Sequence, residues 1–361
     1  MKTMIKLQLN GSKNSGLFVE CLYDFHFHSA EYQELFESSD ATAFQNPIWL
    51  IQFYKTMPVA RNAKSMIIVG RDSASGKIQF VIPLVKRSFY GIHLIESADL
   101  GVTDYASPIV AKDAVELLSR DLVLPQKIAK LIGSFSVLRI KPVRPEARAL
   151  WNLFFKADFN VTDFSAHAVK MTGPYDVWRQ NAFSKSHLKY INRRKNKLDK
   201  MGEVKLELLE GDAALDGLAY LKAQRTGRFD GDPIQQSHVE EFYQQVAYLG
   251  SNNGYAKNFR LSCDDQTVGI VFCTVFKSRL HYLLIGCDYE TYGKCSPGII
   301  MYDMIMQYWC DHGGEIMDFT IGDEPFKFSF GTEPTQMYQM IKTNGIIGLF
   351  AKLALRYKYS Y

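Results

Sequence analysis

Three strands in quick succession, then a glycine-bearing loop and a strongly apolar helix, constrain this chain more than any other feature. Residues 256–263, 268–276 and 280–287 are rich in β-branched, aromatic and other apolar residues, the composition of a half-buried sheet. Only Asp264-Asp265-Gln266 and Lys277-Ser278 separate them, so the spacing predicts an antiparallel meander. The stretch from Asp288 to Gly298 turns directly into an apolar helix over 299–310, which Gly313-Gly314 stops. A helix N-terminus exposes unpaired amides and a partial positive charge, which suit phosphate. Gly293 and Gly298 let a ligand approach the backbone, and Lys294 adds charge. Pro297-Gly298 is equally an ordinary helix start.

A chain of 361 residues exceeds what one core usually spans, which predicts two domains. The Gly173-Pro174 step marks the boundary, giving 1–172 and 173–361. The first half reads as a helix over 47–57, strands over 65–70 and 78–86, and an apolar run over 92–100. Helices over 113–122 and 124–132, a strand over 137–141, a helix over 146–155 and a strand over 166–171 follow. The second half opens with one basic helix over 175–201. A strand over 204–209, a helix capped by Asp212 and running to Arg225, and a helix over 235–249 precede the meander. Strands over 315–320 and 336–343 come after it, and a short basic amphipathic helix covers 348–359. Both halves run through helices, meander, helix and further strand, so the fold class is α/β (α+β), with mixed, largely antiparallel sheets flanked by helices.

The net charge of +4 is unevenly placed. Between Arg179 and Lys205 stand nine Lys or Arg against Asp199 and Glu203. Such a helix is either a solvated face or a local anion site. No stretch of about 18 apolar residues predicts a spanning helix, and Met1 to Asn10 has no signal-peptide core. These features predict a cytoplasmic protein. The six cysteines form no C-x-x-C pair or zinc pattern, so reduced thiols and no metal are expected.

Ionisable groups gather again in DFTIGDEPFKFSFG, 318–331. Asp318, Asp323, Glu324 and Lys327 at a strand's end suit proton transfer or acceptor binding. The alternative is a surface turn, with Asp323 as helix cap and Pro325 in the first turn. Arg225 and Arg228 would clamp an acidic acceptor or form surface ion pairs. His187 and His281 stand alone and read as packing residues.

The order of strand, YGKCSPG, apolar helix and HGGEIMDFTIGDEPFK resembles the acetyltransferase domain of CelD-like proteins. These are GNAT relatives associated with cellulose and exopolysaccharide biosynthesis. The chain is also similar to FemAB-type aminoacyltransferases. FQNPIWLIQFY, FVIPLVKR and LGVTDYASPIV resemble the CelD-like N-terminal signature, and RQNAFSKSHLKYINRRKNKLDKMGEV resembles its basic helix. The resemblance spans roughly Phe44 to Lys342 and implies two tandem GNAT-like domains, the first degenerate and shaping the acceptor cleft. It implies an acyl-CoA donor, acetyl-CoA first among them, with pantetheine along 280–287 and pyrophosphate on 292–298. Gly286, Cys287, Tyr292, Gly293, Lys294, Ser296 and Gly298 would form that site, with a backbone amide near Gly286 to Asp288 polarising the carbonyl. The acceptor would be an amine or hydroxyl on a sugar nucleotide, glycan precursor or other cell-envelope metabolite. Asp318 or Glu324 would act as base and Lys327 as acceptor anchor or oxyanion partner. The loop departs from the ordinary GNAT form, which begins with Gln or Arg. Aminoacyl-tRNA, as FemAB relatives use, is therefore the second candidate donor. A non-catalytic scaffold in polysaccharide assembly is the third reading, and peripheral membrane contact would run through the helix at 348–359.

Overall fold

A computed structural model describes residues 16–345 and residue 348. The helix expected over 348–359 lies, apart from residue 348, outside them. The described chain forms two compact units, Phe164–Gln336 and the remainder.

In the first unit β1 (Leu17–Leu22), α1 (Ala30–Ser38) and α2 (Pro47–Ala60) precede the hairpin β2 (Ala63–Asp72) and β3 (Ile78–Phe89). Then come β4 (Ile92–Ser97), β5 (Ile109–Val110), α3 (Val115–Arg120), α4 (Leu124–Ile132), β6 (Val137–Val143) and α5 (Ala147–Phe155). Asn46 caps α2 by accepting from Ile48 N, with Pro47 in the first turn, where its missing N–H costs nothing. β7 (Asn160–Lys170) carries the chain into the second unit.

There α6 (Tyr175–Ala182) and α7 (Lys185–Asp199) replace the single basic helix expected over 175–201. Phe183 is extended and buried, and the Ser184 side chain accepts from His187 N to start a new helix. A local serine cap thus overrides continuous helical propensity. β8 (Val204–Leu209), α8 (Gly211–Arg225) and α9 (Ser237–Ser251) come next. Asp212 lies inside α8 and does not cap it; Glu210 holds the N-cap position without a side-chain bond. The meander is β9 (Ala256–Cys263), β10 (Gln266–Phe276) and β11 (Arg279–Cys287). The stretch read as loop coils into α10 (Tyr289–Tyr292) and a 3-10 turn before α11 (Pro297–Asp311). β12 (Ile316–Ile321), α12 (Pro325–Ser329) and β13 (Glu333–Thr343) complete the elements, and β13 runs back into the first unit.

Each unit repeats one pairing order of six strands, to which the first adds β5 on β3. In the first, β1, β2, β3 and β4 pair antiparallel in turn, β4 pairs β6 in parallel, and β6 pairs β13 antiparallel. In the second, β8, β9, β10 and β11 pair antiparallel, β11 pairs β12 in parallel, and β12 pairs β7 antiparallel. Both sheets are mixed, largely antiparallel and flanked by helices, as the sequence implies. The repeated pairing pattern extends the shared element order to the order and direction of strand pairing.

The core of the first unit contains Trp49, Phe53, Phe80, Phe154 and Trp151, all fully buried. The apolar face of α11, with Ile300, Met301, Ile305 and Met306, packs into the core of the second. On the other side of β11 the backbone of α8 comes close. A Cβ on Gly286 would stand 2.7 Å from Leu221 Cα. Gly286→Ala should therefore push helix from strand and cost about 1–3 kcal/mol in urea unfolding. Gly293→Ala, whose Cβ would meet only Tyr289 Cβ at 3.7 Å, should cost well under half of that.

Candidate functional site

The feature that shapes the second unit is a split between two parallel strands. β11 and β12 pair only at Arg279↔Ile316, Leu280↔Met317 and His281↔Asp318. Asp318 ends the pairing. Its Oδ2 accepts from Arg279 Nη1 at 2.7 Å and its Oδ1 from Thr320 N at 2.8 Å. Thr320 is thereby folded into the left-handed region at φ 55, where β-branched residues seldom sit. The β7 register slips between Asp318 and Ile321. Thr320 Oγ1 donates to Tyr282 O at 3.1 Å, and beyond that point the pairing of β11 with β12 does not continue.

Side chains gather along the parted edge of β11. Arg225 Nη1 donates to Ile285 O at 3.0 Å, and the same guanidinium grips the buried Asp232 with two bonds of 2.8 and 2.9 Å. Arg225 is committed to this architecture. Arg228, three residues on, is exposed and lies over the Tyr289 ring at 3.9 Å. Tyr289 stands beside the start of α11: a Cβ on Gly298 would lie 3.0 Å from its hydroxyl and 3.3 Å from Ile285 Cδ1. Burial, eased by Tyr289 and Arg228, pushes the Cys287 thiol up to about 12, so it is no nucleophile near neutral pH. Cys287, Gly298 and Arg228 thus converge around Tyr289, while Gly286 faces Leu221 of α8.

The loop residues divide differently. Asp288 caps α10, its Oδ1 accepting from Thr291 N at 2.9 Å. Tyr292 is buried in the core, while Lys294 is exposed. Ser296 takes a left-handed conformation at φ 53 just before Pro297, and its hydroxyl meets Tyr190 Oη at 2.7 Å. Arg194 Nη1 donates to Lys294 O at 2.7 Å. The basic helix α7 therefore braces this turn directly. The Ser296 hydrogen bond, with Arg194 and Arg193 nearby and against some burial, holds the Tyr190 phenol below its ordinary value. Lys189, Arg193 and Lys197 remain exposed.

The strand-end cluster is largely spent on structure. Asp318 is 0% exposed, with an N–H donor on each oxygen, which leaves it without access to an acceptor for a base's work. Lys327, 2% exposed, donates to Ile321 O at 2.7 Å, Gly322 O at 2.9 Å and Glu324 Oε2 at 2.9 Å. Three acceptors occupy all three ammonium protons, so Lys327 closes the end of β12. Glu324 is the exposed member, at 56%, and it rather than Asp323 precedes α12 as the N-cap.

Asp323 instead reaches back to β7. Its Oδ1 lies 2.9 Å from His167 Nε2 and its Oδ2 accepts from Ser165 N at 3.1 Å. His167 is wholly buried, and its Nδ1 lies 3.1 Å from Thr332 Oγ1. Sequence reading passes over His167, because 156 residues separate it from Asp323 and no local spacing announces the pair. Among the described residues no group of His, Cys, Asp and Glu could hold a metal ion, and no helix is long and apolar enough to cross a membrane.

Residues 185–328 match the acetyltransferase (GNAT) domain family. No curated protein matches the chain. Among solved structures, FemX is similar at 13% identity and a TM-score of 0.62, covering 92% of this chain and 99% of FemX. The C-terminal domain of a putative lysylphosphatidylglycerol synthetase from Agrobacterium fabrum is similar at 12% identity and a TM-score of 0.54, over 90% of this chain and 94% of that one. L-PGS from Bacillus licheniformis is similar at 11% identity and a TM-score of 0.54, over 90% and 95%. At these identities the likeness is one of fold.

Removing one partner of the Asp318–Arg279 pair strands a buried charge. Arg279→Ala should therefore cost about 3–5 kcal/mol of stability, read by urea unfolding. Asp318→Asn should lose stability at least as visibly as turnover. Burial raises the Asp323 carboxyl, but the His167 and Ser165 hydrogen bonds outweigh it and hold it below its ordinary value. Its contribution to stability is then present above the unfolded value of about 3.9 and is lost as pH falls through the lower folded value. Asp323→Asn should flatten the acid limb of a melting-temperature profile below about pH 4 and leave it parallel to wild type at neutral pH.

Proposed function

We propose that the second unit transfers an acyl group from an acyl-CoA, acetyl-CoA being the first to test, to an amine or hydroxyl. The acceptor would be a sugar nucleotide, glycan precursor or related cell-envelope metabolite, in the exopolysaccharide setting of CelD-like proteins, inside the cytoplasm. The observation that carries the reading is the parting of β11 from β12 with the braced start of α11 beside it. A thioester donor laid along the parted edge would bring its phosphates to Ser296, Gly298 and Lys294, with the α7 cations nearby. The acceptor nitrogen or oxygen attacks the thioester carbonyl, the C–S bond breaks and CoA leaves as the thiol. Positioning does most of this work. Glu324, exposed and bound at one oxygen, is the base we assign; Asp318 and Lys327 hold the strand end in shape. Arg228, unlike Arg225, has its guanidinium edge available for an acidic group on the acceptor.

Aminoacyl-tRNA is the second donor reading, and one feature favours it: the exposed cations of α7 adjoin the same loop that Arg194 braces. Calorimetry separates the two. Acetyl-CoA should bind the native chain, and Gly298→Val, which drives a side chain into Tyr289 and Ile285, should weaken binding at least tenfold, on the order of 1.4 kcal/mol. Unchanged CoA affinity in the folded variant would displace the donor from this loop. Tight tRNA binding that falls steeply with salt, and whose slope collapses when Lys189, Arg193, Arg194 and Lys197 are all replaced by Ala, would favour the nucleic-acid donor.

A further inference from the structure

The hairpin of β3 and β4 ends in a turn whose residues oppose its geometry. Phe89 and Ile92 face each other across it, and the two residues between are Tyr90 at φ 48 and Gly91 at φ 76. Two consecutive left-handed residues favour Asn-Gly; a tyrosine in that region is strained. The strain brings no packing, because Tyr90 is 102% and Phe89 42% exposed. An unfavourable conformation that holds an aromatic pair in solvent points to a role outside the fold.

The surroundings favour one kind of partner. Lys64 and Lys86 face each other across β2 and β3 three to five residues from the tip, and Lys86 Nζ reaches Ser134 O at 3.4 Å. Lys130 is exposed in the last turn of α4, just before that serine. No acid occurs in residues 41–71, 73–95 or 122–145. The β1 register brings Asp24 toward this end, and Arg87 is taken up by Glu96. β13 finishes at Thr343 opposite Val137, at the same end of the sheet.

We propose that this end of the first unit docks on an anionic membrane surface, with Phe89 and Tyr90 entering the headgroup layer and Lys64, Lys86 and Lys130 facing the lipid charge. Aromatic rings with a polar edge settle at that depth, and lysines at the surface each strengthen attachment to anionic lipid. Flotation of the full chain with vesicles of phosphatidylcholine alone, or mixed with an equal part of phosphatidylglycerol, tests this. The chain should float with the mixed vesicles and not with the neutral ones, and salt should release it. Phe89→Ser with Tyr90→Asn should lower partitioning on the order of tenfold. Its melting temperature should hold or rise, since Asn-Gly suits the turn. Lys64→Gln with Lys86→Gln should lower partitioning roughly fivefold per lysine. A wild-type chain that ignores the mixed vesicles would overturn the proposal. So would a folded tip variant that floats like wild type, or one that changes only the oligomeric state in gel filtration.

Discussion

The chemistry open to the second unit depends on one buried carboxylate. Asp318 binds Arg279 at the start of β11 and the amide of Thr320 two residues ahead on its own strand. The first contact keeps β11 and β12 together for three residues. The second turns β12 away. A parallel pair would otherwise continue its ladder, since every backbone donor and acceptor gains a partner that way. The ion pair is deeply placed, so its worth lies less in net stability than in fixing where the ladder stops.

The first unit shows what happens to the same plan without an opening. β4 and β6 also pair for three residues, and Glu96 at the last of them bridges Arg87 and Arg139. Past that point the chain repairs the gap. Ser97 Oγ donates to Lys141 O at 2.8 Å, and Ala106 N donates to Pro142 O at 2.7 Å. Trp151 packs beneath and donates to Ala106 O at 3.2 Å. In both units the first residue past the fourth strand stays on the antiparallel neighbour, Ala98 N donating to Pro83 O at 3.1 Å and Asp288 N to Val268 O at 2.9 Å, but in the second unit the parallel edge is left to side chains. The two units thus differ in what meets the strand parallel to the fourth: Ser97 and Ala106 bond β6 in the first, and side chains stand there in the second.

Much of this was legible in the sequence, and what was not has a physical reason. The meander, the apolar α11 and the helix start at Pro297 follow from local alternation, short turns and a proline's fixed φ. The break between α6 and α7 is a cap decision made by Ser184 against a run of good helix formers. Asp318, Glu324 and Lys327 stand together in sequence as three equivalent charges, yet burial sorts them. Two are buried and held by partners, Asp318 by Arg279 and Thr320 N, Lys327 by the strand-end carbonyls. One remains in solvent. Composition cannot rank groups whose difference is their burial and the partners the fold gives them. Arg225 and Arg228 repeat the lesson, for the pairing of Arg225 with Asp232 depends on a turn whose shape only the fold defines.

The same accounting of partners explains why chemistry in this unit would sit at the rim. Asp318, Lys327, His167 and Arg225 are each held by two or more polar partners. Groups so fixed hold their positions well. The rim residues Glu324, Arg228, Lys294 and Tyr190 are less constrained and rest directly on that network. Glu324 is bound to Lys327, Arg228 lies on Tyr289, and Tyr190 is bound to Ser296. Preorganisation asks for this division, since a reacting group must be aimed by neighbours that do not themselves move. An acyl transfer that relies on placement more than on a strong acid or base fits a site whose most precisely held charges all lie beneath the surface.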